Sequence, residues 1–379
     1  MAKGYCYRSD YDGRYSVFRL VVLGMEVSAT DSRANRIEWI DTAKGICILL
    51  VLLHHCSGIV HASYPCSRVL VTFRMPLYFI LSGLFFKQYG PKVFLVKKIN
   101  KLLVPYVFFY VVTGVLLPVI VYRLCGHSML HYSKYGFEAI FSIFSERIIV
   151  NPSIWFLFCL FELNVLFYLL FMISKNCKHS IVVLGILSLA MGIVGLFLSY
   201  KKIDLPYFLD SSLTVLPFFY FGYFLRNHTS ILYKENTKRT KLFSYIFFVV
   251  SMVIIRCFNY GWLSVIGNTY GDIKGLIQVY PYGIMGTCAV LLLSKAIGRV
   301  PVLSYIGRYS IIVLCTHVFA MRSMALCFRD TIENKSMCLL VVYLTTILLC
   351  LALIPVVKKY LGVFTAQKDL IRLDKKNSI

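Results

Sequence analysis

From Ile40 onward, long apolar runs alternate with short basic or Gly/Pro-containing breaks. An α-helix rises about 1.5 Å per residue, so runs of roughly 17–22 residues can cross a hydrocarbon layer about 30 Å thick. The pattern predicts spans at roughly 40–60, 70–87, 102–123, 153–174, 180–200, 211–226, 242–258, 275–295, 302–322 and 337–357, with boundaries good to a few residues. The expected fold class is all-α: a polytopic integral membrane protein with about ten transmembrane helices. Residues 1–36 read as a polar, Tyr- and Arg-rich extension with one apolar patch, Leu20 to Leu23, closed off by Glu26. That patch is too short for a secretory core and no small-residue cleavage site follows it, and Met25 offers an alternative start. The membrane domain is expected over residues 37–360, followed by a basic tail over 361–379.

The first run, W-I-D-T-A-K-G-I-C-I-L-L-V-L-L-H-H over Trp39 to His55, carries polar residues in phase. At 100° per residue, Lys44 and His55 lie roughly 20° apart around a helix and about 16 Å apart along it. Asp41 falls within roughly 40° of His55, so Asp41, Lys44, Ile48, Val51 and His55 make one stripe, while His54 points about 100° away. A polar stripe on a spanning helix is costly and marks a functional site by default. The plainer reading puts Asp41 and Lys44 among headgroups and buries only His55. The adjacent histidines cannot share a metal from one helix face, and no H-E-x-x-H spacing is present, so no metal is expected.

Composition sharpens the class. Hydrophobic residues make up 59% of the chain and the mean hydropathy is +0.73, far above soluble-domain usage. A formal charge of +23 would suggest nucleic acid in a soluble protein, but here the basic residues collect between spans and no aromatic-basic module accompanies them, so no nucleic-acid partner is expected. Most of the 13 cysteines fall within apolar spans and read as small buried hydrophobes. A bridge between Cys66 and Cys125 stays open.

Lysine and arginine concentrate after spans two and six and in the tail, which assigns both termini to the cytoplasm. That orientation sorts the buried polar residues into two layers. Asp41, Lys44, the 87–101 loop with Lys97, Lys98 and Lys101, and Arg308 face the cytoplasm. His55, Arg74 and His317 lie nearer the outside. Trp155 opens span four on the outer side, and Glu162 sits near its middle, where a carboxylate needs a partner or a proton. Each has a structural alternative: Arg74 as an interfacial anchor, His317 as a hydrogen-bonded core histidine, Trp155 as an interface-belt aromatic.

At these residues the sequence resembles the acyltransferase 3 family of integral-membrane acyltransferases. The likeness rests on I-D-T-A-K-G-I-C-I-L-L-V-L-L-H-H, on F-R-M-P-L-Y-F-I-L-S-G-L-F-F with its basic loop and K-L-L-V-P-Y, on S-I-W-F-L-F-C-L-F-E-L, and on L-P-F-F-Y-F-G-Y-F-L with S-Y-I-G-R-Y-S-I-I-V-L-C-T-H. The W-F-L and L-P-F-F pieces are most similar to the branch of fucose and exopolysaccharide O-acetylases. The chain departs in having Lys44 where arginine is common and His54 where a small residue is common. The resemblance implies ten helices and transfer of an acyl group, most often acetyl from cytoplasmic acetyl-CoA, to a hydroxyl of a cell-surface polysaccharide. His55 is then the essential base, Arg74 the oxyanion stabiliser and His317 a second acid/base or acceptor-orienting group. Asp41, Lys44, Lys97, Lys98, Lys101 and Arg308 line the coenzyme side, where the cations suit phosphate, and Trp155 and Glu162 contact the acceptor. Direct transfer and an acyl-enzyme relay, for which Ser82 is available, both stay open. The expected partners are the bilayer of the inner (plasma) membrane, acyl-CoA and a glycan, with a second copy or polysaccharide-biosynthesis proteins admissible. The competing reading is a transporter or flippase for a lipid-linked glycan, since buried charge and broken spans also serve alternating access.

Overall fold

A computed structural model describes residues 37–117, 120, 151–230, 232, 234–258 and 273–372. The N-terminal extension, the stretch with Cys125, and the last residues of the tail lie outside the described residues. Helices account for the architecture, and no strand occurs among the described residues. In chain order they are α1 (Glu38–Val60), α2 (Ser67–Leu84), α3 (Pro91–Lys98), α4 (Val104–Val111), α5 (Trp155–Ser174), α6 (Ser180–Lys201), α7 (Leu209–His228), α8 (Lys238–Phe258), α9 (Ile273–Ile297), α10 (Pro301–Arg308), α11 (Ser310–Phe328) and α12 (Lys335–Tyr360). Among the described residues seven are long and apolar enough to cross a membrane: α1, α5, α6, α8, α9 from Gly275, α11 and α12. The chain is thus an all-α polytopic membrane protein.

Local chemistry explains the breaks. Pro105 has no N–H to give to the carbonyl of Lys101, and the helix widens into a π-turn over Ile99–Leu103 between α3 and α4. Gly298, with φ of 81°, ends α9 in the left-handed region that glycine tolerates. Asn334 caps α12, its side-chain oxygen accepting from the N–H groups of Ser336 and Met337 at 3.0 and 3.1 Å. The single span expected over 302–322 is two helices. Pro301 starts α10, Tyr309 leaves helical geometry at φ −106°, ψ 27°, and α11 restarts at Ser310. Arg308 therefore ends a short helix outside the span. Arg322 lies within α11.

Helix α1 sits at the centre and packs on α2, α9, α10, α11 and α12. Its contact with α10 is backbone to backbone: a side chain on Gly45 would strike the carbonyl of Leu303, and one on Gly307 the carbonyl of Asp41. Helices α2 and α7 repeat the device, Gly83 meeting Phe219 and Gly222 meeting Ile80. Small residues let helices approach closely where lipid supplies no hydrophobic drive between them. The apolar faces of α6 and α8 stay exposed, as helices turned toward lipid require. The segment after α12, the start of the expected basic tail, is docked up to its last described residues. Phe364 stacks on Phe108 at 4.1 Å and 10°, and the Asn100 side chain pairs with the backbone of Ile371 through two bonds of 2.8 and 2.9 Å.

Candidate active site

Beyond the crossing with α10, α1 packs against α11 and α12 through a core of Cys56, Val60, Val318, Met321, Cys338 and Val342. That packing sets His55 against His317, with ring centroids 5.3 Å apart and planes tilted by 45°. His54 meets only the edge of its neighbour, at 5.8 Å and 67°. His317 is fully buried, whereas His55 keeps part of its surface accessible. Nδ1 of His317 lies 2.9 Å from the carbonyl of Val313. A carbonyl only accepts, so Nδ1 carries the hydrogen of the neutral ring and Nε2 keeps a lone pair. That Nε2 is buried without a hydrogen-bond partner. A satisfied core histidine would not leave its second nitrogen so; the arrangement is that of an acceptor open to a proton or a ligand group.

Arg74, on the first half of α2, is drawn into the same region. Its carbonyl accepts from the Cys47 thiol at 2.6 Å, which pins α2 to α1 one helical segment below the histidines. Among the described residues, the titratable groups close enough to act on His55 are His317, Arg74, His54 and Arg322. Helices α2, α11 and α12 contain no Asp or Glu, and the acids of α1, Glu38 and Asp41, both lie in its first turn. The guanidinium nitrogen Nη1 of Arg74 is buried without a partner, and so is the hydroxyl of Tyr64, which lies near enough to feel the Arg74 charge. Tyr64 and Arg322 had no sequence signal. Tyr64 sits in a short connection and reaches the site by chain reversal, and Arg322 resembles any other loop-flanking arginine.

The opposite end of α1 holds the cationic layer. Asp41 is buried at the α1–α10 crossing. Thr42 donates to the carbonyl of Gly298 at 2.8 Å and lies 2.8 Å from the Ser304 hydroxyl, fixing the angle of α10. The ammonium of Lys44 lies 5.8 Å from the Phe85 ring, and the Tyr78 hydroxyl donates to the Lys44 carbonyl at 3.1 Å. Lys97 covers the Tyr89 ring at 3.6 Å, Lys98 lies 5.4 Å from Phe94, and Lys101 is exposed. Burial first, and then the charge of Lys101, pull the Lys98 ammonium down to about 8. Arg308 and Lys358 flank the ring of Tyr309 at 5.5 and 5.2 Å, so Lys358 of α12 joins a set that the sequence reading did not include.

Trp155 is buried at 6% exposure, against Phe156 and Phe208, which removes it from an interface belt. Glu162 faces α7 and not the histidines: the Ser212 hydroxyl donates to its carboxylate at 2.8 Å. The start of α5 is tied instead by Asn151 and Ser153. Asn151 donates to Thr113 Oγ1 at 2.8 Å and to the carbonyl of Cys315 at 3.1 Å, and Ser153 donates to the carbonyl of Leu314 at 2.9 Å. Both residues are buried, and both bond α11 within one turn of His317. In the sequence N-P-S reads only as a turn. Among the described residues no group of three His, Cys, Asp or Glu could hold a metal ion, and Cys66 is a free thiol.

Comparison with known proteins found no curated protein and no solved structure that matches the chain. The family described as the acyltransferase domain (acyltransferase 3) matches it over residues 37–356. That stretch runs from the first turn of α1 into the last turns of α12, so it contains the histidine pair, Arg74, Arg322 and the cationic layer apart from Lys358. This chain therefore belongs to the acyltransferase 3 family and is a membrane acyltransferase.

Proposed function

We propose that this acyltransferase moves an acyl group, acetyl in the first instance, from cytoplasmic acyl-CoA to a hydroxyl of a cell-surface or exported polysaccharide, with His55 as the base. The observation that carries this reading is the His55–His317 pair, a partly accessible imidazole backed by a buried one whose Nε2 has no partner, beside an arginine and with no carboxylate on α2, α11 or α12. Attack of an alcohol on a thioester needs somewhere for the hydroxyl proton to go and positive charge where the carbonyl oxygen becomes an anion. His55 takes the proton and Arg74 faces the developing charge. His317, held in one tautomer by Val313, keeps the site's second acceptor in place for the acceptor hydroxyl. Lys44, Lys97, Lys98, Lys101 and Arg308, with Lys358 added, suit the phosphates of the donor on the cytoplasmic side. Asp41 serves the donor side indirectly, by setting the crossing that carries Arg308. Trp155 and Glu162 are reassigned from the acceptor to the framework of the α5–α7 contact. Membership of an acyltransferase family favours this chemistry over glycan transport.

The test compares surface-glycan O-acetyl signals by NMR in cells lacking the gene and in cells complemented with wild type, His55→Ala or His54→Ala. Loss of a general base costs about 10²- to 10⁴-fold in rate, so His55→Ala should give no signal although the protein inserts and accumulates. His54→Ala should keep most of it. A glycan unchanged by loss of the gene, or a silent His54→Ala beside an active His55→Ala, would overturn the assignment.

A further inference from the structure

The short connection between α1 and α2 brings Tyr64 back over the bundle, where its ring packs on the core that includes Val318 and Met321 of α11. Its hydroxyl is buried and has no hydrogen-bond partner, and the same holds for Nη1 of Arg74. The two groups are neighbours, and Arg74 in turn lies near His54 and His55. The guanidinium is near enough for a weak hydrogen bond to the Tyr64 oxygen, but that leaves the Tyr64 O–H proton and Nη1 of Arg74 with no acceptor. A buried donor without one forfeits water without replacement, about 1–3 kcal/mol for a neutral group and more for a charged one. Native structures tolerate such groups chiefly where function uses them. With the Tyr64 oxygen turned to the guanidinium, the Tyr64 O–H and the remaining Arg74 N–H are both donors, so their common complement is an acceptor, and beside a guanidinium the favoured acceptor is an oxyanion.

We infer that Tyr64 and Arg74 form an oxyanion site, and that Tyr64 is a catalytic residue that donates a hydrogen bond to the thioester carbonyl oxygen as it becomes negative. This rests on the acyl-transfer reading above and adds a second donor to it. The acceptor oxygen bonds to the carbonyl carbon while its proton passes to His55, and the carbonyl π pair moves onto oxygen. The oxyanion then accepts from Tyr64 O–H and Arg74 N–H. Its collapse breaks the C–S bond, and the leaving thiolate takes the proton back from His55. Both donors end as they began. Their idleness in the unliganded protein is what such a site requires: donors already aimed at a charge that exists only during reaction need no reorganisation.

Tyr64→Phe removes the hydroxyl and leaves the ring in its core. Tyr343 gives a matched control, because its ring packs on the same core but its hydroxyl donates to the carbonyl of Leu49 at 3.2 Å. Full-length protein in lipid nanodiscs is assayed for release of the coenzyme thiol from acetyl-CoA, alongside O-acetyl content of the surface glycan in cells. Loss of one oxyanion donor costs about 10²- to 10³-fold in kcat. Tyr64→Phe should therefore lower kcat by about that factor with KM for acetyl-CoA within about threefold of wild type, the split expected for a bond made only in the transition state. Its melting temperature should stay near that of wild type, and Tyr343→Phe should keep its kcat. An active wild type with Tyr64→Phe within threefold in kcat overturns the inference and leaves the acyl-transfer reading intact. So does a raised KM at unchanged kcat, which would mark Tyr64 as a ground-state binding group. A wild type that neither cleaves acetyl-CoA nor acetylates the glycan overturns the acyl-transfer reading, and this inference with it.

Discussion

Replacing Gly307 with alanine tests whether the α1–α10 crossing sets the geometry of the whole site. A methyl group there would fall 2.6 Å from the Gly45 nitrogen and 2.9 Å from the Asp41 carbonyl carbon, with the carbonyl oxygen closer still. Ordinary contact begins near 3.4 Å, so against Gly45 alone the helices must part by about 0.8 Å, the difference between 3.4 and 2.6. The groups in the way are backbone, and no rotamer change relieves them. Overpacking of this kind costs about 1–3 kcal/mol. Its effect on rate should be larger than its effect on stability suggests. Helix α10 passes through Tyr309 directly into α11, which carries His317, and a displacement near 1 Å at a reacting centre can cost about 10²-fold. Gly58→Ala is the control: it lies on the same helix α1, nothing stands within 4 Å of its added methyl, and alanine favours a helix by up to about 1 kcal/mol. Thermal melting in detergent and acetyl-CoA turnover should show Gly307→Ala less stable and markedly slower, with Gly58→Ala unchanged or slightly more stable. If both glycines tolerate alanine equally, the close crossing does not hold the site, and the assignment of Asp41 to it fails.

Three further outcomes are expected. Lys98 has an ammonium pulled down to about 8, so it is charged below that pH and neutral above it; if it holds donor phosphate, KM for acetyl-CoA should be flat below about pH 7, rise through 8, and lose that inflection in Lys98→Arg. Truncation after Tyr360 should lower the melting temperature more than truncation after Arg372, because it removes the Phe364–Phe108 stack and both bonds of Asn100 to Ile371; equal melting would show that the docked segment contributes nothing. Reporter fusions should place residues 95 and 235 in the cytoplasm and the 124–150 loop outside, and an external signal at residue 95 would invert the two layers.

The helices were legible because a bilayer fixes their length, and apolar runs of that length are hard to mistake. The break at Tyr309 was not legible. Its neighbours Arg308 and Ser310 interrupt an apolar run no more than other tolerated polar residues do, and hydropathy counting has no term for one residue leaving helical φ and ψ. His55 could be found because its relation to Lys44 is local, a matter of spacing on one helix. Glu162 could be flagged as needing a partner, but the partner, Ser212, lies fifty positions away on α7. Tyr64 and Asn151 were silent for the same reason. Nothing in their local sequence distinguishes a buried donor from a loop residue until the chain folds back. Composition marks the tail as basic and says nothing of its docking, which is decided by the ring of Phe364 and the amide of Asn100.

The stripe on α1 is best understood as a spacing device under the proposed reaction. Coenzyme phosphates are cheapest to hold where water and lysines are plentiful, whereas a neutral base and an oxyanion site work best where water is scarce. One enzyme needs both, at a fixed separation. Helix α1 supplies it, since Lys44 and His55 lie on one face about 16 Å apart. The separation is useful only if both ends are registered to the same partner, and they are. The lower end is locked to α10 by the Gly45–Leu303 and Gly307–Asp41 contacts, and the upper end meets α11 at His317. Because α10 and α11 are consecutive and joined through Tyr309, any movement of one end of the stripe relative to its partner is transmitted to the other. The break within the ninth apolar run is thus what allows a single stretch of chain to grip α1 twice, once by backbone contact beside the cations and once by an imidazole beside the base.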